Sequence, residues 1–395
     1  MSETIEVTID TLVFGGDGLA RSDGRAVFVP GSAPGDRIRA RVVERKKNFL
    51  RAEIVDILEP GPSRRVPPCP HAGICGGCQL QHVDYASQVA AKSRFVRDAL
   101  ERIGRIPLDA DVPVHADPDH ELGYRMRASA HLARTRDGVV LGFYAAKSHH
   151  VVDIPSCPLL VPELDEAWRS AYASRADLHR LETLELAAGD TATASAPPIA
   201  SIGGGDLEVA VEGIRYRFVP SSFFQSNRTM LAPLVRAVRE AAGDGASAVD
   251  LFAGVGLFTI PLARRYARVV AVESDSQAAA LARANAAAND APNVEVEAVA
   301  VASWLERTVE GAFDLVLLDP PRTGLGLDAA RELVRIAPPR IVYVSCDPST
   351  LARDAKVLVD GGYRLEHVEA FDLFPQTFHV ESVATFSRAV ENLGR

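Results

Sequence analysis

From residue 219 to the end, apolar runs of strand length alternate with segments of helical periodicity, and this alternation restricts the fold more than any other feature of the chain. Strands are predicted near 247–252, 268–273, 293–298, 313–318 and 340–345, with two closing strands near 363–371 and 379–386. A helix is predicted over 227–241, stopping at Gly243. Strands without a polar face must be covered on both sides, so the prediction is a parallel sheet between helical layers. The fold class of residues 219–395 is therefore α/β, Rossmann-like.

Residues 5–58 read differently. Short alternating segments, among them Ala26–Val29, Ile38–Val43 and Ala52–Leu58, are cut by Gly15-Gly16-Asp17-Gly18, Pro30-Gly31 and Pro34-Gly35-Asp36. That pattern predicts a small closed β-barrel. Glu59-Pro60-Gly61-Pro62 ends it, which sets domains at 1–60, 61–218 and 219–395. The central region is α+β. Its helix, from Asp84 to about Ile106, is drawn from the recurrence of Val89, Phe95, Val96, Leu100 and Ile103, and it is positioned to pack on the third domain. The small-residue stretch Ala187–Ala200 reads as a loop.

The start of the chain, Met1-Ser2-Glu3-Thr4, has no basic or apolar leader, and no run approaches the ~18 apolar residues of a membrane helix. A cytoplasmic monomer without a membrane partner is expected. The net charge of −9 opposes nucleic-acid binding only on average, because phosphates need just a local basic patch. Residues 36–51 carry Arg37, Arg39, Arg41, Arg45, Lys46, Lys47 and Arg51 against Asp36 and Glu44, and Arg125 with Arg127 forms a second group.

The strand ending in Asp250-Leu251-Phe252 runs into Ala253-Gly254-Val255-Gly256, a turn through which backbone can approach a ligand closely. The next strand ends in Glu273, whose carboxylate suits ribose hydroxyls. A third glycine, as dinucleotide binding requires, is missing: Thr259 stands there. Asp250-x-x-x-Gly254-x-Gly256 instead resembles the first motif of S-adenosylmethionine methyltransferases. Asp319-Pro320-Pro321-Arg322 ends another apolar strand and faces the same crevice, and Arg322 in place of an aromatic argues against methylation of a base amino group.

Cys346 ends the strand Ile341–Ser345, beside that crevice. A buried core cysteine is the ordinary reading of such a thiol, and its position is what favours chemistry. In Phe374–Ser382, His379 and Glu381 are the candidate bases, set by alternation on one strand face. Asp319-Pro-Pro-Arg322, Ser345-Cys346-Asp-Pro348 and Phe374-Pro-x-Thr-x-His-x-Glu381, in this order, resemble the RNA uracil-C5 methyltransferase family, and residues 5–58 resemble its RNA-binding TRAM barrel. The resemblance implies Cys346 as nucleophile on carbon 6 of the base and Glu381 as the base that removes the carbon 5 proton. It also implies that Gln225, Phe252, Gly254, Glu273 and Asp319 hold S-adenosylmethionine. Two departures stand out: Leu257 replaces a polar residue, and Asp347 stands where Asn is frequent. The chemistry demands a thiol of lowered pKa, since an ordinary one at about 8.5 is mostly protonated at neutral pH.

Cys69, Cys75, Cys78 and the distant Cys157 make a four-thiolate set, which in a reducing compartment is a metal or cluster site rather than a pair of disulfides. Zinc commonly uses two Cys-x2-Cys knuckles, and this set has one. The pattern is similar to the [4Fe–4S] site of the same family. Radical methylthiotransferases use a different cysteine spacing, cytosine-C5 enzymes use a second catalytic cysteine, and a pure RNA-binding module would leave Cys346 and Glu381 unexplained. Carrying both barrel and cysteines, the chain resembles the branch acting on 23S rRNA, with transfer RNA as the alternative substrate.

Overall fold

The computed structural model describes residues 3–388; residues 1, 2 and 389–395, at the outer ends of the first and third predicted domains, lie outside the described residues. Six strands open the chain: β1 (Thr4–Thr8), β2 (Thr11–Leu12), β3 (Gly18–Ser22), β4 (Arg25–Val29), β5 (Arg37–Arg45) and β6 (Phe49–Glu59). Their order is β1-β5-β6-β4-β3-β2, so two strands adjacent in sequence sit at opposite edges of one sheet. Only Ile9 and Asp10 join them, which forces the sheet to curl until its edges meet around Val7, Ile9, Val27, Ile38 and Leu50.

The basic run on this barrel is not the positive patch that its sequence suggests. β5 pairs with β1 and β6, whose outward faces carry acidic residues opposite its arginines. Arg37 meets Glu6 and Glu59, Arg39 meets Glu6 and Asp56, Arg41 meets Glu53, and Arg45 meets Glu3. Lys46 and Arg51 reach Glu44, and Arg51 also Asp17. Asp36 is turned inward onto Arg64. Only Lys47 of the seven cations lacks a carboxylate partner among the described residues. Counting charges along one segment misses the partners that strand pairing brings across.

α1 (Tyr85–Arg102) begins at Asp84, whose side chain accepts from the Ser87 amide at 2.9 Å and so satisfies a free helix donor. Its buried face carries Ala91, Phe95, Val96 and Leu100 but also Gln88 and Lys92, while Val89 and Ile103 lie off that face. After β7 (Val114–His115) come β8 (Arg127–Thr135), β9 (Gly138–Tyr144), β10 (Val151–Asp153), α2 (Pro162–Ala173), β11 (Thr183–Ala188) and β12 (Thr193–Ala196). β8 to β12 form a sheet in the order β10-β9-β8-β11-β12. The predicted loop at 187–200 is thus largely a hairpin, with Ala187 opposite Ala194. Ala187, Ala188 and Ala194 are small because they are buried, a reason that composition cannot distinguish from low complexity.

A second hairpin, β13 (Leu207–Val211) and β14 (Ile214–Phe218), turns through Glu212 and Gly213, both at positive φ, as a tight turn between twisted strands requires. Then follow α3 (Leu231–Ala242), β15 (Gly245–Leu251), α4 (Thr259–Ala263), β16 (Tyr266–Val272), α5 (Ser276–Ala288), β17 (Val294–Glu297) and α6 (Val301–Arg307). β18 (Leu315–Leu318), α7 (Leu327–Ile336), β19 (Arg340–Ser345), α8 (Pro348–Asp360), β20 (Tyr363–Phe371) and β21 (Glu381–Arg388) complete the described chain. α3 starts later than predicted, because the Asn227 side chain takes the Thr229 and Met230 amides and holds 227–230 as a turn.

The large sheet runs β17-β16-β15-β18-β19-β21-β20-β7. β15 to β19 are parallel, β21 is antiparallel between β19 and β20, and β7 joins β20 from far upstream. Strand order reverses at β15, between β16 and β18, which opens a crevice at the carboxyl ends of β15 and β18. One continuous core takes residues from both the central sheet and this one, from Met126 to Val383.

Candidate active site

The register of the sheet brings the predicted catalytic pair together. Ser345 at the end of β19 lies opposite Ser382 on β21, so the next residues outward, Cys346 and Glu381, face each other across the two strands. Asp319 follows β18 and its amide donates to the Leu251 carbonyl at 3.2 Å, which sets it beside the glycine turn. Cys346 and Asp319 are half-buried, and Glu381 is only 2 % exposed.

These groups repel one another electrostatically. Burial and the neighbouring Asp319 push the Glu381 carboxyl well above the usual carboxylate range, with the Arg322 guanidinium pulling it back. Burial raises the Asp319 carboxyl too, against a contribution from Gln225. The Cys346 thiol is pushed up to about 12, chiefly by burial and then by Glu381 and Asp319. That corrects the expectation of a lowered thiol pKa: without its ligands the site favours neutral thiol and neutral carboxyl.

His379 lies in the turn before β21, not on the strand. Burial, then Arg322, lowers its imidazole to about 3, so it is neutral at physiological pH. Arg322 donates to His379 Nε2 at 3.3 Å. The sequence assigns Arg322 no role in the site beyond its place in the Asp319–Arg322 motif, yet it is the cation that faces thiol, carboxyl and imidazole together. Asp347 caps α8 by accepting from the Ser349 and Thr350 amides, a role Asn fills equally well, but unlike Asn its charge adds to the rise of the Cys346 thiol.

On the cofactor side, Phe252 and Gly254 both have positive φ, and the Gly254 amide donates to Glu273 Oε2 at 2.9 Å. Gln225 is buried beside Asp319. Asp250 is fully buried, takes the Thr259 hydroxyl at 2.5 Å on one oxygen and has no partner for the other among the described residues. Burial raises its carboxyl to about 7, with Asp319 and Glu273 adding to the effect. A crevice of desolvated carboxyls with an unpaired acceptor suits a cationic ligand. Leu257 packs into the core, and its carbonyl accepts from the Tyr216 hydroxyl at 2.9 Å.

All four predicted thiols, Cys69, Cys75, Cys78 and Cys157, line a single cavity of about 150 Å³, roughly ten times the space one water needs. Arg125 and Ser129 line it as well. Burial raises Cys78 to about 12 and Cys157 to about 11, so these two thiols as they stand are neutral. The Gly77 amide donates to Cys75 Sγ at 3.4 Å. Among the described residues no three His, Cys, Asp or Glu side chains are arranged to hold a single metal ion.

Comparison with known proteins matches residues 159–389 to the tRNA (uracil-5-)-methyltransferase family and residues 2–55 to the TRAM domain. A 23S rRNA (uracil(1939)-C(5))-methyltransferase RlmD from Dechloromonas aromatica is 34% identical, covering 96% of this chain and 98% of that protein. Its counterpart from Acidithiobacillus ferrooxidans is 35% identical, covering 97% of each. The solved Pyrococcus abyssi tRNA (uracil-54, C5)-methyltransferase, in complex with S-adenosyl-L-homocysteine, superposes with a TM-score of 0.75 at 29% identity, over 97% of this chain and 100% of its own.

Proposed function

The chain belongs to the tRNA (uracil-5-)-methyltransferase family and is an S-adenosylmethionine-dependent RNA uracil-C5 methyltransferase, and from that premise we propose that its substrate is a uridine of 23S rRNA, modified through Cys346 and Glu381. Carbon 5 of uracil is a poor nucleophile. Loss of the Cys346 proton lets Sγ add to carbon 6, which turns the ring into an enolate rich in electron density at carbon 5. The bound cofactor supplies the electrophilic methyl group. Glu381 then takes the carbon 5 proton, the ring recovers its double bond and Sγ leaves. The opposed positions of Cys346 and Glu381 at the ends of β19 and β21 carry this reading.

Asp250, Asp319, Gln225, Phe252, Gly254 and Glu273 fit the cofactor, because its positive charge suits desolvated carboxyls and the unpaired oxygen of Asp250. Arg322 is suited to the enolate oxygen, and its charge offsets part of the rise that burial and Asp319 impose on the Glu381 carboxyl. Cys69, Cys75, Cys78 and Cys157 fit a [4Fe–4S] cluster. A cubane spreads its four thiolates further apart than one zinc does, which agrees with four thiols around one roomy cavity. The cluster would cross-link residues 69–78 to the segment before α2 and supply no reacting atom.

Several RlmD relatives at 34–35% identity favour ribosomal over transfer RNA. The test is to map 5-methyluridine in total RNA from a strain lacking the gene. A site lost from 23S rRNA is expected, whereas a loss confined to transfer RNA overturns the substrate.

A further inference from the structure

The turn that delivers the chain into β21 takes its support from segments far away in sequence. The Tyr124 hydroxyl donates to the Pro375 carbonyl at 3.0 Å, and the Asn227 side chain to the Leu373 carbonyl at 3.1 Å. At its centre stands Gln376, fully buried and at φ +71°, a conformation that a residue other than glycine keeps only when its surroundings impose it. Every donor and acceptor of Gln376 is used. Its amide donates to Gln88 Oε1 at 2.9 Å, and its carbonyl accepts from the Gln79 and Leu80 amides at 3.1 and 2.9 Å. Its Oε1 accepts from Arg65 and Gln88 at 2.9 and 3.0 Å, and its Nε2 donates to the Glu121 carbonyl and carboxylate at 3.2 and 3.1 Å.

Gln79 and Leu80 directly follow Cys78, so the loop bearing three of the four thiols is hydrogen-bonded to the turn bearing His379. The barrel closes on the same point. A Cβ on Gly16 would stand 2.9 Å from the Gln79 Cβ, and the Phe14 ring meets Phe378 edge-on at 5.2 Å. Cys346, by contrast, hangs from the end of β19, inside the sheet.

We propose that Gln376 is a positioning residue of the methyl-transfer site: it locks the left-handed turn that aims His379 and Glu381, and ties that turn to the cysteine loop and to α1. The inference rests on Glu381 being the base. Thiol addition depends on β19 and proton removal on the turn, so loosening the turn slows elimination and spares addition.

The test uses the full-length protein, labelled S-adenosylmethionine, and both ordinary and 5-fluorouridine-substituted RNA. Gln376→Met keeps length and volume but loses every side-chain hydrogen bond. Its kcat should fall at least about tenfold while KM for S-adenosylmethionine stays within about twofold. Methylated adduct on ordinary RNA should accumulate, trapping on fluorinated RNA should be unchanged, and amide exchange over 376–379 should quicken. Gln376→Glu combined with Glu121→Gln swaps the side-chain donor and acceptor and leaves Arg65 a carboxylate; only the Glu121 carbonyl loses its donor, so part of the lost kcat should return. The inference falls if Gln376→Met turns over as the native protein does. It also falls if fluorinated-RNA trapping and cofactor KM worsen in step with kcat, or if the swapped pair stays as slow as Gln376→Met. Native protein that traps no fluorinated RNA would instead remove the catalytic reading on which the inference rests.

Discussion

Lys92 Nζ lies 2.5 Å from Asp372 Oδ1, and neither side chain reaches solvent. Nζ also donates to the Phe374 carbonyl at 2.9 Å, so α1 grips the chain just before the turn into β21. Burial pushes the Lys92 ammonium down and Asp372 draws it back up. Removing one half of such a pair strands a buried charge, at a cost of about 3–5 kcal/mol. Lys92→Met should therefore lower the urea midpoint markedly, and adding Asp372→Asn should recover part of the loss. A midpoint unchanged by Lys92→Met would show that the pair does not hold the turn.

The two catalytic roles separate in trapping experiments. Cys346→Ala should abolish methylation and any denaturant-resistant RNA complex. Glu381→Gln retains a polar side chain but cannot take the carbon 5 proton, so a methylated covalent complex should accumulate. Absence of both complex and product in Glu381→Gln would assign Glu381 to an earlier step.

Asp250 gives stability a pH dependence of definite sign. Its carboxyl is raised from 3.8 to about 7 by burial, so the folded protein holds that proton more tightly than the unfolded chain. The resulting stability is fully present below about 4 and lost as pH rises through about 7. Asp250→Asn should flatten that part of the melting-temperature profile, and an unflattened profile would place the titration elsewhere. Binding of the cationic cofactor near neutral pH should also release protons, measurable by calorimetry in buffers of different ionisation enthalpy.

Salt dependence should follow the unpaired cation of the basic run and not the run as a whole. Arg39 is already matched by Glu6 and Asp56, whereas Lys47 is exposed and has no carboxylate partner among the described residues. Lys47→Gln should reduce the slope of log affinity for RNA against log salt by about 1, and Arg39→Gln should change it much less. The reverse ranking would return the electrostatic contact to the paired arginines of β5.

Protein purified without oxygen should be brown and carry iron and sulfide in equal amounts. Cys78→Ser should lose that colour. A colourless native protein with one zinc would replace the cluster by a zinc site.

The strand–helix alternation, the Asp250–Gly256 turn, the end-of-strand positions of Asp319 and Cys346, and the cysteine set were all legible in the chain, because each is a local pattern of polarity or spacing. Partnership across strands was not. The arginines of β5 look like a phosphate-binding patch until β1 and β6 bring Glu3, Glu6, Glu53, Asp56 and Glu59 against them. Lys92 and Gln88 sit at core positions of an amphipathic helix, which signals buried partners without naming Asp372 and Gln376, some 280 residues on. The thiol's proton affinity also rises on folding, since burial and three carboxyls, Glu381, Asp319 and Asp347, outweigh one arginine. Composition and periodicity determine which elements form and which groups reach the strand ends. Only the packed structure decides which charges meet, because Coulomb and desolvation energies depend on distances and burial that a linear chain does not contain.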